Sequence, residues 1–320
     1  MAHLRKAPHV GAGWAEVIRL MREAMSGDRL LSHVGHYTNG CEDISVHPEA
    51  TPRSGDQECE PEEYLRTARL LSTFVSALDG DLGRFHTGSL LRVVLQAAPG
   101  AAYCDAVVPD QHVIAFLRVQ VPSADTTLPD VPKIRPADTR TAALTTSLRE
   151  MVRRRLTTIA LDGASDEPDP PVSPEDPDAG VHIKGHLSGR LADQCRAVVD
   201  PGDLHHVSCW VDGEPVYAVD VLTHPGVRGL LPESDSVAHL RRSYEQLGRR
   251  FPTLVSQFGR VCHNALGGKL ERVVLALEQG AIYYYRGLPG QYIVGVTLND
   301  DEGNRSDEKV ARLAVTARTL

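Results

Sequence analysis

The stretch that decides the fold is residues 269–298, KLERVVLALEQGAIYYYRGLPGQYIVGVTL, because it repeats an earlier part of the same chain. At an offset of 180 residues, and with no gap, it aligns with residues 89–118, SLLRVVLQAAPGAAYCDAVVPDQHVIAFLR. Ten of the thirty aligned positions are identical, among them a shared Arg-Val-Val-Leu run. Each stretch holds three runs of strand-forming residues separated by turn residues, so each predicts three consecutive antiparallel strands.

The repeat extends upstream into a hairpin. Residues 34–40, VGHYTNG, match residues 207–213, VSCWVDG, and each segment ends in an Asn-Gly or Asp-Gly turn. These dipeptides favour a two-residue hairpin, which predicts two more strands in each copy.

Helices are predicted around these strands in the same order in both copies. A short amphipathic helix at 15–24 or 187–199 precedes the hairpin, and a closing helix at 137–159 or 306–318 follows the last strand. Between the hairpin and the three strands lies a longer helix with apolar residues at helical spacing. These stripes are Tyr64, Ala68, Leu71, Val75 and Leu78 in the first copy, and Val237, Leu240, Tyr244, Leu247 and Phe251 in the second.

The negative charge of the chain is concentrated between the two copies. Residues 162–180, DGASDEPDPPVSPEDPDAG, carry seven acidic residues, five prolines and no basic residue, in a chain whose formal net charge is −8. This composition is typical of a solvated linker and predicts domains at 1–161 and 181–320. Each domain is nearly neutral, which argues against a nucleic-acid-binding surface.

The rest of the composition indicates an ordinary globular protein. The six cysteines form no C-x-x-C pair, so we expect reduced thiols and neither a zinc ribbon nor a redox dithiol motif. No apolar run is long enough to insert in a membrane, and the first eleven residues lack the apolar core of a signal peptide. We therefore expect a cytoplasmic location, and the abundance of Arg, Ala, Gly and Pro suggests a bacterial source.

In element order and residue pattern the chain resembles the roadblock/LC7 family, most clearly over residues 235–320. The resemblance implies an α+β fold of two roadblock-like domains, each with a five-stranded antiparallel sheet and three helices. Family members usually dimerise, so the two copies on one chain imply an intramolecular pseudo-dimer. Bacterial members resemble partners of small Ras-like GTPases, which implies a non-enzymatic regulator or scaffold without cofactor or metal.

The longer helices of the two copies present charged residues on the side opposite their apolar stripes. These outward-facing residues are Arg66 and Arg69 in the first copy, and Arg242, Glu245 and Arg249 in the second. A charged helix face is often merely solvated, but arginine is favoured at protein–protein hot spots. We therefore predict that these five residues bind the partner.

Two other functions remain open from the sequence. Small α+β domains can present sheet edges to extended peptides, which would make the protein chaperone-like. Alternatively, Cys209 with His205 or His206 provides the groups of a cysteine hydrolase, although strand alternation favours Cys209 as a core thiol.

Three further patterns invite comparison with known ligand or partner sites. His182 and His186 have the i, i+4 spacing of a metal pair on a helix, but a solvated helix start is the favoured interpretation. Two glycine-rich segments, 11–13 and 264–269, lack the residues or the preceding strand that a nucleotide site needs. The run Tyr283-Tyr284-Tyr285 predicts a strand with tyrosines on both faces, one packed and one available to a partner.

Overall fold

A computed structural model describes residues 2–26, 31–48, 60–83, 88–118, 131–157, 180–231, 236–299 and 303–319. The fold is α+β, with antiparallel strands and several helices. The described chain separates into two compact units. The first holds the described residues up to Arg149 together with Thr253–Ala276, and the second holds those of Glu150–Pro252 and Leu277–Leu320. The linker predicted at 162–180 lies outside the described residues except for its last position, so it stays a prediction.

The element order is the predicted one with an additional strand at the start of each copy. The first copy comprises β1 (Ala2–Lys6), α1 (Ala15–Met25), β2 (His33–Thr38), β3 (Cys41–Pro48), α2 (Pro61–Leu82), β4 (Leu90–Ala97), β5 (Gly100–Val108), β6 (Gln111–Arg118) and α3 (Val131–Thr157). The second comprises β7 (His182–Gly185), α4 (Arg190–Val198), β8 (His206–Val211), β9 (Glu214–Asp220), α5 (Val237–Leu266), β10 (Leu270–Leu277), β11 (Gly280–Arg286), β12 (Gln291–Thr297) and α6 (Gly303–Thr319).

The prediction of five strands per copy missed β1 and β7, which give each copy a sixth. In the first unit the strand order is β1-β3-β2-β6-β5-β4-β10, and in the second it is β11-β12-β8-β9-β7. The missed strands pair antiparallel with β3 and β9, the second strand of each hairpin. Their sequences, AHLRK and HIKG, are short and hold at most two apolar residues each, too few for alternation to mark a strand.

The two hairpins share details that the alignment does not contain. Asn39-Gly40 and Asp212-Gly213 all have positive φ, as a two-residue turn with the twist of the flanking strands requires. Each hairpin also carries a bulge at the same place: β3 has an extra residue, Asp43, opposite His36 and Tyr37 of β2, and β9 has an extra residue, Val216, opposite Cys209 and Trp210 of β8. The same irregularity at the same place is an added similarity between the copies.

In the first unit, helices cover both faces of the sheet. Trp14, which precedes α1, lies over His36 with ring centroids 5.3 Å apart, whereas Tyr64 of α2 stacks on His33 at 6.0 Å. Residues three apart on a strand point to opposite faces, so α1 and α2 lie on opposite sides. Tyr103 of β5 shares the α1 face, and its hydroxyl donates to the α3 carbonyl of Ile134 at 3.1 Å.

The second unit has the same layering. The hydroxyls of Tyr283 and Tyr285 donate to α6, to Gly303 O at 2.8 Å and to Asp307 Oδ1 at 2.7 Å. Tyr284 points to the other face and stacks on Phe251 of α5, with ring centroids 5.4 Å apart. All three tyrosines are buried, so the predicted partner-accessible tyrosine face is wrong. A helix packs on each face of β11.

Among the residues that the structure describes, no helix combines the length and apolarity needed to cross a membrane.

Candidate partner-binding surface

Helix α2 holds the first pair of predicted binding residues. Proline at its first position and Glu62 and Glu63 in its first turn favour a helix start. Its buried side includes the whole predicted stripe from Tyr64 to Leu78, so the opposite side faces solvent. Arg66 and Arg69 are both exposed there, as the periodicity indicates.

Arg69 contacts a carboxylate of the sheet. The Arg69 guanidinium donates to Glu42 Oε2 at 3.2 Å, and Arg5 Nε lies 3.4 Å from the same oxygen. The Glu42 side chain is only 5% exposed, and a buried carboxylate needs a paired charge. Here the two arginines supply that charge from the surface. Within the described part of the chain, Arg66 has no ion pair. Among the described residues, Arg66 and Arg69 therefore differ in that only Arg69 has an internal carboxylate partner.

Sequence reasoning missed an apolar residue on the same side of α2. Leu70 is 50% exposed, and its i, i+4 spacing from Arg66 places the two side chains next to each other on the helix surface. An exposed leucine among arginines gives an apolar contact surrounded by positive charge, a combination common at protein interfaces. The signal was present in the sequence, because Leu70 interrupts the polar side of an otherwise amphipathic helix.

Helix α5 holds the other three predicted residues in the second unit. Arg242 and Arg249 are exposed, but the prediction that Glu245 is freely outward-facing needs correction, because its side chain is 24% exposed. Glu245 Oε2 accepts from Lys184 Nζ at 2.6 Å, and its Oε1 lies 2.9 Å from Arg249. The hydrogen bond from Lys184 lowers the pKa of Glu245 and so favours its ionised form. The negative charge of this carboxylate is balanced by Lys184 and Arg249.

The predicted residues fall into two separate groups. Arg66 and Arg69 belong to the first unit, and Arg242, Glu245 and Arg249 belong to the second. The structure thus places each group on the solvent side of its own helix. A surface formed jointly by the two groups remains a proposal.

The Cys–His pair suggested for a hydrolase is not assembled. Cys209 Sγ is buried 3.7 Å from Cys195 Sγ. Both ring nitrogens of His205 are occupied, with Nε2 3.1 Å from Pro201 O and Nδ1 accepting from Leu298 N at 3.0 Å. His206 lies on the opposite strand face, three positions from Cys209. Cys209 is the core thiol that strand alternation favours.

The suggested metal pair also fails geometrically. His182 lies in strand β7, not in a helix, and His186 lies just beyond the end of that strand. The i, i+4 spacing therefore does not place the two rings on one helical face. His182 Nδ1 instead lies 3.2 Å from the Asp220 carboxylate. The described residues contain no group of three or more His, Cys, Asp or Glu suited to a metal ion.

Asp220 is a buried junction that the sequence analysis did not identify. It is 2% exposed, and both of its carboxylate oxygens accept from the Arg241 guanidinium, at 2.8 and 2.9 Å. With His182 on the same carboxylate, Asp220 connects β7, β9 and α5. These contacts hold the start of α5 against the sheet. They thereby fix the position of the exposed Arg242, which follows Arg241 in the helix.

Comparisons with known proteins give few matches. No family model and no curated protein matches the chain. Among solved structures, it is similar to one described as MglB with tetrameric arrangement, at 12% identity and a TM-score of 0.32, over 45% of this chain and 93% of that one. It is also similar to a roadblock/LC7 domain from Streptomyces avermitilis, at 15% identity and a TM-score of 0.30, over 42% and 96% of the two chains.

Proposed function

We propose that this chain is a tandem roadblock-like protein that binds a small Ras-like GTPase, or a related signalling partner, as a non-enzymatic regulator or scaffold. The observation that carries the proposal is the element order: helix, hairpin, long helix, three strands and helix occur twice. This is the order on which the sequence resemblance rests. Two copies on one chain fit a pseudo-dimer held together by the acidic segment at 162–180, since a tether raises the effective concentration of its ends.

The long helices α2 and α5 are the proposed contact surface. They offer four exposed arginines, Arg66 and Arg69 on α2 and Arg242 and Arg249 on α5. Leu70 adds an apolar contact on α2. A partner with an acidic surface around an apolar recess would suit this chemistry. Glu245 would take part by orienting Arg249, to which it is ion-paired.

The test uses the purified full chain and a small GTPase encoded by a neighbouring gene. Binding and GTP turnover are measured for the parent protein, for R66E/R69E and for R242E/R249E. Since arginine hot spots contribute about 2 kcal/mol or more, at least one pair should weaken binding about tenfold or more. R22E on α1 and R190E on α4, also exposed, are the matched controls and should leave binding unchanged.

The possible results distinguish a wrongly assigned contact surface from a wrongly assigned function. If the parent binds and both double variants bind equally well, the partner contacts another surface. If the parent neither binds the GTPase nor changes its turnover, but captures an unfolded peptide, the chaperone-like function replaces the proposed one.

A further inference from the structure

Two buried thiols in the second unit lie against each other. Cys195 on α4 and Cys209 on β8 are 0% and 5% exposed, and their sulfur atoms are 3.7 Å apart. This separation is a hydrogen-bonded contact between two thiols. Cys41 is exposed and the other described cysteines, Cys104 and Cys262, are buried in the first unit.

The surrounding structure allows the two sulfurs to approach. A disulfide has an S–S distance of about 2.05 Å, so the sulfurs must move together by roughly 1.7 Å. Helix α4 has nine residues and begins after Gly189 without a side-chain cap. It packs on α6 and β9 through few buried side chains, chiefly Ala192 and Cys195. A short uncapped helix on the outside of the unit can shift more easily than a central strand.

We propose that Cys195 and Cys209 are an oxidation site, in which a peroxide converts the two thiols into a disulfide that joins α4 to β8. One sulfur attacks the peroxide O–O bond, forming a sulfenic acid and releasing water. The second sulfur then attacks the sulfenic sulfur, forming the S–S bond and releasing another water. The net reaction consumes two thiols and one hydrogen peroxide, and yields one disulfide and two waters.

The buried environment makes opening of α4 part of this reaction. The hydrogen bond with Cys209 and burial both raise the pKa of Cys195, which keeps its sulfur protonated while α4 is in place. The thiolate is the reactive form, so oxidation should occur when α4 is transiently displaced. The reaction should therefore be slow in buffer and faster in urea concentrations that leave the rest of the unit folded.

The disulfide should also change the packing on the other face of the sheet. Cys209 is followed directly by Trp210, at the place where β9 bulges opposite β8. The Trp210 ring lies against Gly248 of α5, next to Arg249. A shift of β8 at Cys209 should therefore alter the environment of Trp210, and its fluorescence provides a second readout of the oxidised state.

The test uses the full chain carrying C41S and C59S, which removes the exposed thiol and the thiol outside the described residues. Reduced protein is treated with hydrogen peroxide, denatured, and titrated for free thiols. We expect the loss of two of its four remaining thiols. Mass spectrometry should find a peptide pair cross-linked through Cys195 and Cys209, lighter by two hydrogen atoms, and dithiothreitol should restore both thiols.

Variants of single cysteines complete the test. C195A or C209A should abolish the cross-link, whereas C262S should leave it intact. The parent's cross-linked peptide is informative even where a variant fails to fold. The proposal is overturned if all four thiols survive peroxide, if the product is a sulfinic acid, or if the disulfide joins other cysteines.

Discussion

Alanine at two glycines of the same helix, Gly248 and Gly259, should change stability in opposite directions. Both lie in the interior of α5, where alanine is more favourable than glycine by about 1 kcal/mol. A Cβ at Gly259 would meet no atom within 4 Å. G259A should therefore stabilise the protein by about 1 kcal/mol.

At Gly248 the added methyl group would collide with a buried ring. Its Cβ would lie 2.0 Å from Cζ2 of Trp210, whereas carbon atoms in contact are separated by about 3.5–4.0 Å, so the ring must retreat by roughly 1.5 Å. Trp210 is stacked on Tyr292 at 5.7 Å, and its Nε1 donates to Ser208 Oγ at 2.9 Å. Overpacking costs about 1–3 kcal/mol and the hydrogen bond about 1 kcal/mol more. After the helix gain is subtracted, G248A should be less stable by about 1–3 kcal/mol.

The assay is urea unfolding followed by far-UV circular dichroism and by tryptophan emission. The chain has two tryptophans, so a W14F background leaves Trp210 as the only emitter. G248A should lower the unfolding midpoint and shift the native Trp210 emission, while G259A should raise the midpoint and leave the emission unchanged. If G248A is as stable as G259A and its emission is that of the parent, Trp210 does not pack on α5 as described.

Three further predictions concern buried groups. Burial lowers the pKa of His206 to about 4, so the unfolded state binds the additional proton, and stability should fall as the pH drops from about 6.5 to 4. H206Q should flatten urea-derived stability against pH by up to about 1.4 kcal/mol per pH unit. D220N should cost about 3 kcal/mol by leaving the Arg241 guanidinium poorly paired, and D220N/R241M should recover part of that loss in the same assay. G280A should be more destabilising by calorimetry than G100A, since both would strike a cross-strand carbonyl but only Gly280 has a positive φ, +110°.

The three strands at the end of each copy were predictable because local and long-range signals agree there. The offset of 180 residues holds from β4 (Leu90–Ala97) to β10 (Leu270–Leu277), and it also aligns the first residues of the next two strands in each copy. The repeated Gly100 and Gly280 have a physical reason, because a Cβ at either would approach a cross-strand carbonyl oxygen, at 2.3 and 2.1 Å. The glycine is therefore identical in the two copies because the close approach of the neighbouring strand leaves no room for a side chain.

Features that depend on distant neighbours could not be predicted from the sequence. Strand β7 is defined by its pairing with β9, more than thirty residues away, and its four residues lack an apolar pattern. One face of the tyrosine strand was expected to be available to a partner, because strand alternation says which residues share a side but not what covers that side. Glu245 was assigned a free charge for the same reason, since its partner Lys184 lies on β7.

The arrangement of charge limits how similarly the two copies can treat a partner. Arg5 on β1 and Lys184 on β7 occupy equivalent positions in their strands, and each pairs with a glutamate of the long helix of its copy, Glu62 on α2 and Glu245 on α5. The carboxylates that hold a long-helix arginine differ, because Arg69 pairs with Glu42 on β3, whereas Arg249 pairs with Glu245 on α5 itself.

Arg66 and Arg242 are the two proposed binding arginines that these internal carboxylates do not hold. Both are exposed, and neither has an ion pair within the part of the chain that the structure describes. Reversing Arg69 or Arg249 would break an internal contact as well as any external one, so a binding loss there has two causes. Reversing Arg66 or Arg242 leaves the internal pairs intact. A binding loss at these two positions therefore measures contact with the partner, and comparing the two losses shows whether the partner contacts α2, α5 or both.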